Sequence, residues 1–433
     1  PSVVQQLVKG LGPAPNEEQQ EDPGIADLRD ALHCAVLDFA EIPHAEPIKQ
    51  ARAYAHVIDC VSAMVAITKP YGHDDMRQGV FQSVFGESSV PALDGCAVGS
   101  YLAPSGMGAV INALEASIGD FPYSLEETPD SVYFETKGLV ERNQGTFLQK
   151  PAENRVDAKT HIWLVGASAD KYPENFSEGL KQVLKKCENP PKKLVVVYDS
   201  TLLGSGETPQ QLLDDGDIKS AVEEGRLELV VAKSFQKFAT LGSGKVKSGG
   251  VVVIGKDDGT GMSAVGQKLA KIEQSELFRK EGDLPRHGRK PGSSDSAVFL
   301  AGLAQGIDQQ IITHFLLHGS KLESEFAQLQ MKNAGIVAKL FGEDAVQSGH
   351  FAFVKPNGRF RQAMKYLGTH SETFGFPIPN MTNYMDDNGR QRISPGIVSP
   401  AVLLEYFYAA AHPESTASEM LEQIESDFET QDE

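Results

Sequence analysis

The chain has 433 residues, of which 40% are apolar and 23% charged, the balance of an ordinary globular protein. Its formal net charge is −19, with acidic runs at 17–22 and 414–433, and such a surface repels nucleic acid and anionic membranes. No run approaches the roughly 20 apolar residues that span a bilayer, and the first ten residues lack a signal-peptide pattern. We therefore expect a cytoplasmic protein that binds neither nucleic acid nor membrane.

The cysteines give no indication of a disulfide framework or a zinc site. Cys34, Cys60, Cys96 and Cys187 lie far apart, none belongs to a Cys-x-x-Cys pair, and no Cys/His cluster has the spacing of zinc ligands. We expect reduced, buried thiols and no metal site.

The N-terminal region predicts a loosely held arm followed by helices. Residues 1–24 are rich in Pro, Glu and Gln, whereas residues 25–70 carry apolar side chains at helical spacing, as at Leu28 and Leu32. We assign residues 1–95 to this arm and helical segment.

From about residue 96, helical stretches alternate with short apolar runs. The runs are continuously apolar rather than alternating, which is typical of strands covered on both faces. They lie at 161–165, 194–198, 227–232 and 250–254, and helical stretches such as 176–186 and 210–224 separate them. We predict an α/β domain over residues 96–310, with a mostly parallel central sheet sandwiched by helices.

The C-terminal region predicts a smaller α+β domain over residues 311–433, ending in the acidic tail. A strongly helical stretch at 296–343 leads into it, and the α+β pattern follows with a strand near 350–354, a helix at 359–367, a strand near Arg392 and a final helix at 400–411.

A glycine-rich turn, Ser105-Gly106-Met107-Gly108, opens the helical run that follows it. Backbone N–H groups at a helix N-terminus bind phosphate well, and glycine permits close approach. Taken alone, a tight turn is the commoner explanation of such a pattern.

Asp199 follows directly after the buried strand predicted at 194–198. Ligands gather at the carboxyl ends of parallel strands, and a carboxylate there can keep a pyridine nitrogen protonated. The alternative is that Asp199 caps the next turn through Ser200 and Thr201.

Lys237 follows the strand predicted at 227–232, with Ser234 three residues before it. A lysine at a strand end in an apolar setting can lose its proton and form a Schiff base. The Ser234 hydroxyl and Lys245, in the glycine-rich turn beyond, could both bind a phosphate. The alternative is a surface turn with ordinary lysines.

Arg392 lies within an apolar, β-type stretch near the C-terminus. A semi-buried guanidinium needs a partner, and a substrate carboxylate can bind it through two parallel hydrogen bonds. A structural salt bridge is an equally good explanation of this residue alone.

Between residues 96 and 410, several segments in chain order resemble the motifs of one enzyme family. They are Ser105-Gly106-Met107, Tyr133 within 132–136, Asp199-Ser200-Thr201, Ser234-x-x-Lys237, the stretches 333–338 and 367–373, and Arg392-Ile393-Ser394-Pro395-Gly396. The chain thereby resembles the pyridoxal 5′-phosphate (PLP) enzymes of the aspartate-aminotransferase fold (fold type I), and most closely the cystathionine γ-synthase-like family of Cys/Met metabolism.

The resemblance implies a PLP-dependent transferase fold and a set of site residues. Lys237, Asp199 and Tyr133 would be catalytic, with Tyr133 stacked on the cofactor ring and Asp199 at its nitrogen. Arg392 would bind the α-carboxylate of an amino-acid substrate. The cofactor-binding set would be Ser105, Gly106, Met107, Tyr133, Asp199, Ser234, Lys237 and Lys245. A homodimer or a dimer of dimers is also implied.

The implied function is amino-acid metabolism, with sulfur or related amino acids as substrates, through an external aldimine and a Cα carbanion. The expected reaction is an elimination or replacement by a lyase or transferase. After Lys237, however, the family's Lys-Tyr-x-x-Gly-His-x-Asp is absent, and Lys245, eight positions on, resembles the aminotransferases instead. An aminotransferase and a non-catalytic binding or scaffold protein of the same fold stay open as alternatives.

Overall fold

The fold is that of a computed structural model, whose described residues form two compact units. The described residues are 23–41, 47–68, 71–86, 93–118, 123–127, 136, 159–166, 176–201, 209–240, 246–277, 295–356, 368–369, 379–386, 388–398, 400, 403 and 407. The larger unit holds those at 71–239 and 246–320, and the smaller unit holds those up to 68, Thr240 and those from 321 onward.

The helices and strands are numbered in chain order. They are α1 (Pro23–Glu41), α2 (Pro47–Thr68), α3 (His73–Phe85), β1 (Cys96–Ala103), α4 (Gly106–Ser117), β2 (Tyr123–Glu127), β3 (Thr160–Gly166), α5 (Phe176–Lys186), β4 (Lys193–Asp199), α6 (Pro209–Asp214), α7 (Gly216–Glu223), β5 (Leu227–Ser234), β6 (Gly249–Lys256), α8 (Ala264–Leu277), α9 (Asp295–Phe341), a 3-10 turn (Gly342–Asp344), β7 (Ala345–Ser348), β8 (Phe351–Val354), β9 (Gly368–Thr369), β10 (Asn380–Met385) and β11 (Gln391–Ser394).

The larger unit is built on a six-stranded sheet with the order β1-β6-β5-β4-β3-β2. Strands β2 to β5 pair in parallel, and β6 runs antiparallel to both β5 and β1. Five strands therefore run in one direction and β6 in the other. The predicted α/β class with a mostly parallel central sheet is confirmed.

The register of this sheet brings four strand ends to one edge. Asp199 at the end of β4 pairs with Ala232 of β5, and Ser234 at the end of β5 pairs with Gly249 at the start of β6. Gly249 also pairs with Ala103, the last residue of β1. The carboxyl ends of β1, β4 and β5 thus meet the amino end of β6.

Helix α4 packs on this sheet and supports the same edge. Its small buried residues Ala109 and Ala113 lie in one core cluster with Val197 of β4, Val230 of β5 and Val251 of β6. Small side chains let the helix approach the sheet closely, and burial of the branched strand residues stabilises the contact. The N-terminus of α4 is thereby fixed beside the strand ends.

The smaller unit contains a five-stranded sheet with the order β7-β8-β11-β10-β9. Its pairs are antiparallel except that of β9 with β10. The C-terminal part of α9 packs on it through Val337, in a core with Val354, Met381 and Ile393. Helices α1 and α2, which pack against each other, confirm the predicted N-terminal helices.

The predicted strands at 161–165, 194–198, 227–232 and 250–254 are confirmed as β3 to β6. The single helix expected at 210–224 is instead two helices, α6 and α7. Asp215 interrupts it, because its side chain accepts hydrogen bonds from two N–H groups of α7 and caps that helix. The predicted arm before residue 23, the helix at 359–367 and most of the helix at 400–411 lie outside the described residues.

The predicted domain boundaries at residues 96 and 311 stay predictions. Within the described residues, no helix is both long enough and apolar enough to cross a bilayer.

Candidate functional site

The N-terminus of α4 presents open backbone N–H groups. The Ser105 hydroxyl oxygen accepts a hydrogen bond from the Gly108 N–H at 3.0 Å, so Ser105 is the N-cap of this helix. The N–H groups of Gly106 and Met107 make no hydrogen bond with the described part of the chain. Two N–H groups at the positive end of a helix dipole can bind an anion, and the small residues around them admit it.

Gly106 lies in tight contact with the strand ends. A Cβ atom on Gly106 would lie 2.5 Å from the Ser234 Oγ, and one on Gly249 would lie 2.5 Å from the Ser105 carbonyl oxygen. Both glycines are therefore required by close backbone approach rather than by an unusual backbone conformation. The Ser234 hydroxyl lies beside the N-terminus of α4, as its predicted phosphate-binding role requires.

Asp199 ends β4 with one carboxylate oxygen engaged. Its Oδ1 accepts the Thr201 N–H at 3.0 Å, so the capping role considered for Asp199 is present. Its Oδ2 makes no hydrogen bond with the described residues. The carboxylate is partly exposed, and it can bind a protonated ligand nitrogen without giving up its cap.

Thr201 connects the Asp199 and Ser234 segments, a link that the sequence did not indicate. Its hydroxyl oxygen accepts a hydrogen bond from the Ser234 N–H at 2.9 Å, between residues 33 positions apart. Next to it, the Ser200 N–H donates to the Ala232 carbonyl at 2.8 Å. Only the Asp-x-Thr spacing could have drawn attention to Thr201.

Lys237 lies in the turn that follows β5, in an apolar setting. Lys237 is partly buried, and Phe235 and Phe238 on either side of it are buried. The Phe235 N–H donates to the Ser248 carbonyl at 3.0 Å, which ties the start of the turn to the strand segment opposite. The predicted combination of a strand-end lysine and apolar neighbours is present.

Arg392 lies in the smaller unit, on the central strand β11. Only 5% of it is exposed, and its guanidinium carbon lies 5.1 Å from the centre of the Phe351 ring. Side chains of α9 hold the segment just after it: Gln330 donates to the Ser394 hydroxyl at 2.9 Å. Asn333 donates to the carbonyls of Gly396, at 3.0 Å, and Val398, at 2.9 Å.

Two of the predicted site residues, Tyr133 and Lys245, lie outside the described residues. The structure brings Ser105, Gly106, Met107, Asp199 and Ser234 to one edge of the large sheet, with Lys237 three residues beyond Ser234. Arg392 belongs to the other unit.

The cysteines and possible metal ligands add no second site. All four cysteines are free, and Cys60 and Cys187 are buried as predicted. The prediction of burial is wrong for Cys34, which is exposed on α1, and for Cys96, which is partly exposed at the start of β1. Within the part of the chain that is described, no group of three or more His, Cys, Asp or Glu side chains could hold a metal ion.

The chain matches no protein-family model and no curated protein. Among solved structures, it is similar to a putative O-acetylhomoserine (thiol)-lyase from Campylobacter jejuni that carries N′-pyridoxyl-lysine-5′-monophosphate. The TM-score is 0.49 and the identity 14%, over 82% of this chain and 91% of that chain.

Two aminotransferases are similar to a lower degree. The cytoplasmic aspartate aminotransferase of Giardia lamblia has a TM-score of 0.43 and 15% identity, over 92% of this chain and 98% of that chain. The aromatic-amino-acid aminotransferase of Burkholderia pseudomallei, covalently bound to pyridoxal phosphate, has a TM-score of 0.42 and 12% identity, over 91% and 98%. These three TM-scores are below 0.5 and the identities are at most 15%.

Proposed function

We propose that this chain is a PLP-dependent enzyme that acts on an amino acid, with Lys237 as the residue that attaches the cofactor. One observation supports the proposal most strongly. The N-terminus of α4, the Ser234 hydroxyl and the Asp199 carboxylate lie at one edge of the large sheet, and Lys237 follows Ser234 by three residues. These groups match in kind the phosphate, the ring nitrogen and the aldehyde of PLP.

For the phosphate, the proposed partners are the N–H groups of Gly106 and Met107 together with the Ser234 hydroxyl. All three are donors without another partner among the described residues. The N–H groups of Gly106 and Met107 belong to the main chain, so the helix fixes their positions. Gly106 lets Ser234 come this close to the helix end, since a Cβ on Gly106 would collide with the Ser234 side chain. Lys245 would add a positive charge to this phosphate site.

For the pyridine ring, the proposed partners are Asp199 and Tyr133. The open Oδ2 of Asp199 would hold the proton on the ring nitrogen, and Tyr133 would stack on the ring. When bound, PLP supplies an electron sink for the bonds of the substrate's Cα. A carboxylate that keeps the ring nitrogen protonated strengthens this sink.

Lys237 would also serve as the base that takes the proton from the substrate's Cα. It lies in the turn between the buried Phe235 and Phe238, and a lysine amine is one of the side chains that serve as general bases. The proposed role of Arg392 is to bind the substrate's α-carboxylate. A buried guanidinium stacked on an aromatic ring is held in one orientation, which suits bidentate binding of a carboxylate.

For the reaction class, we propose elimination or replacement by a lyase or transferase acting on a sulfur-containing or related amino acid. Transamination is the second candidate, and the observation in its favour is Lys245, eight positions after Lys237. The products distinguish the two reactions. Elimination releases the side-chain leaving group, ammonia and a 2-oxo acid, and replacement exchanges that leaving group for another nucleophile and keeps the amino group. Transamination releases no leaving group and no ammonia, but consumes one 2-oxo acid and forms another.

Titration of the purified protein with PLP tests the proposal. Wild type is expected to develop the visible absorption of a lysine-bound pyridoxal, and Lys237→Ala to lose it. Lys233→Ala is the matched control, since Lys233 lies on β5, four residues before Lys237, and its Nζ donates to the Ser83 carbonyl at 2.6 Å. The same band in Lys237→Ala would contradict the proposal, and binding without any turnover of amino acids would favour a non-catalytic protein.

The proposed assembly is a homodimer or a dimer of dimers in the cytoplasm. The native mass in solution, from light scattering, tests the assembly. A fully active monomer would contradict it.

A further inference from the structure

Thr201 contacts both of the segments that would bind opposite ends of the cofactor. Its N–H donates to the Asp199 Oδ1 at 3.0 Å, and its hydroxyl oxygen accepts the Ser234 N–H at 2.9 Å. Only 8% of Thr201 is exposed, so water competes weakly for either bond.

The Ser234 N–H binds a side-chain oxygen, that of Thr201, instead of a main-chain carbonyl of β4. One step earlier, the Ala232 carbonyl accepts both the N–H and the hydroxyl of Ser200, at 2.8 and 3.2 Å. Beyond that point the strands β4 and β5 have ended their pairing, and the Ser234 N–H is bound by the Thr201 hydroxyl instead. On this side of β5, the Thr201 side chain therefore joins Ser234 to the Asp199 segment, while Gly249 of β6 pairs with Ser234 on the other side.

We infer that Thr201 is a positioning residue, which sets the distance and angle between the Asp199 carboxylate and the Ser234 hydroxyl. The inference rests on the proposed function. PLP carries its nitrogen in a rigid ring and its phosphate on a short arm from that ring, so the two protein partners must be placed at a matching distance for both to bind well. By engaging Oδ1, Thr201 also orients the carboxylate so that Oδ2 remains available.

Substitutions at Thr201 can separate the two bonds. Thr201→Val keeps the shape of the side chain and the N–H that binds Asp199, but it removes the acceptor for Ser234. Thr201→Ser keeps the hydroxyl. Thr313→Val is the matched control, because Thr313 is a fully buried threonine on α9 whose hydroxyl donates to the Gln309 carbonyl at 2.7 Å.

The test is a titration of each cofactor-free variant with PLP, with absorbance and fluorescence as readouts. Thr201→Val is expected to raise the dissociation constant by roughly tenfold or more, because a part-buried N–H loses its partner. Thr201→Ser and Thr313→Val are expected to stay within about threefold of wild type. Wild-type affinity in Thr201→Val would overturn the inference.

A second readout separates positioning from general stability. The pH at which the bound cofactor changes its absorption spectrum is expected to shift in Thr201→Val and to return in Thr201→Ser, whereas loss of stability alone would not move it. An unshifted midpoint would also overturn the inference. If Thr201→Val does not fold, Thr201→Cys, with a weak sulfur acceptor, takes its place and must show the same two effects.

The outcomes also separate this inference from the proposed function. If wild type binds no PLP, the proposed function fails and the inference fails with it. If wild type binds PLP and Thr201→Val binds it equally well, only the positioning role is lost.

Discussion

A Cβ atom on Gly106 would lie 2.3 Å from the Cβ and 3.0 Å from the Cα of Ser234. The first residue of α4 and the last residue of β5 thus approach as closely as a glycine allows. This contact puts the Ser234 hydroxyl beside the first residue of α4, and the N–H groups of Gly106 and Met107 are the other proposed phosphate partners.

Gly106→Ala is expected to weaken PLP binding by tenfold or more and to destabilise the protein by about 1–3 kcal/mol. The added methyl group forces the helix away from the backbone of Ser234. Gly216→Ala is the control, because Gly216 also begins a helix but its Cβ would meet nothing within 4 Å. Equal PLP affinity in the two variants, measured by titration, would show that the contact does not shape the site.

Arg392→Leu is expected to raise KM for the amino-acid substrate by roughly tenfold to a hundredfold, the effect of losing a hydrogen-bonded charge pair. PLP affinity should change little. Arg390→Leu is the control, since Arg390 lies two residues earlier and has its own partner, Asp386, at 3.5 Å. Steady-state kinetics provide the measurement, and an unchanged KM in Arg392→Leu would remove the proposed role.

Asn333→Leu is expected to lower the free energy of unfolding by about 2 kcal/mol or more. Asn333 is fully buried, and the variant leaves the carbonyls of Gly396 and Val398 without its two hydrogen bonds. Gln328→Met, on an exposed side of the same helix, should change stability by no more than about 0.5 kcal/mol. Urea unfolding of both variants compares them, and equal midpoints would contradict this account of the segment after Arg392.

The sequence predicted the parts of the site that depend on neighbouring residues, and it missed the contacts between residues far apart along the chain. The strand ends at Asp199 and Ser234 follow buried apolar runs, so local pattern alone predicted both. The bond from Ser234 to Thr201 joins residues 33 positions apart, and that from Asn333 to Gly396 spans 63. Such contacts leave no local pattern, and they appear only when the sheets are assembled.

The outer strands of the large sheet were missed for a different reason. β1 contains the exposed Val98 beside Gly99 and Ser100, and β2 contains Ser124 and Glu126, so neither forms a continuous apolar run. Both are the outermost strands of the sheet among the described residues, where one side has no neighbour. The antiparallel direction of β6 could not be predicted either, since a continuously apolar run does not distinguish a parallel strand from an antiparallel one.

His350 is expected to make stability fall in mild acid. Burial lowers its pKa from 6.5 to about 4, so between these values the unfolded chain binds a proton that the folded chain does not. The stabilisation is complete above about pH 6.5 and is lost as the pH falls towards 4, by up to about 3 kcal/mol. Urea unfolding from pH 7 to 4 should show a weaker pH dependence in His350→Gln than in wild type, and parallel curves would contradict the prediction.

Chemical trapping of the cofactor tests most directly whether Lys237 is the lysine that attaches PLP. The PLP-loaded protein is reduced with borohydride and digested, and the peptides are sequenced by mass spectrometry. We expect a phosphopyridoxyl group on the peptide that contains Lys237, and none there when Lys237→Arg is treated in the same way. A group found instead on Lys233 or spread over surface lysines, with Lys237 unmodified, would contradict it.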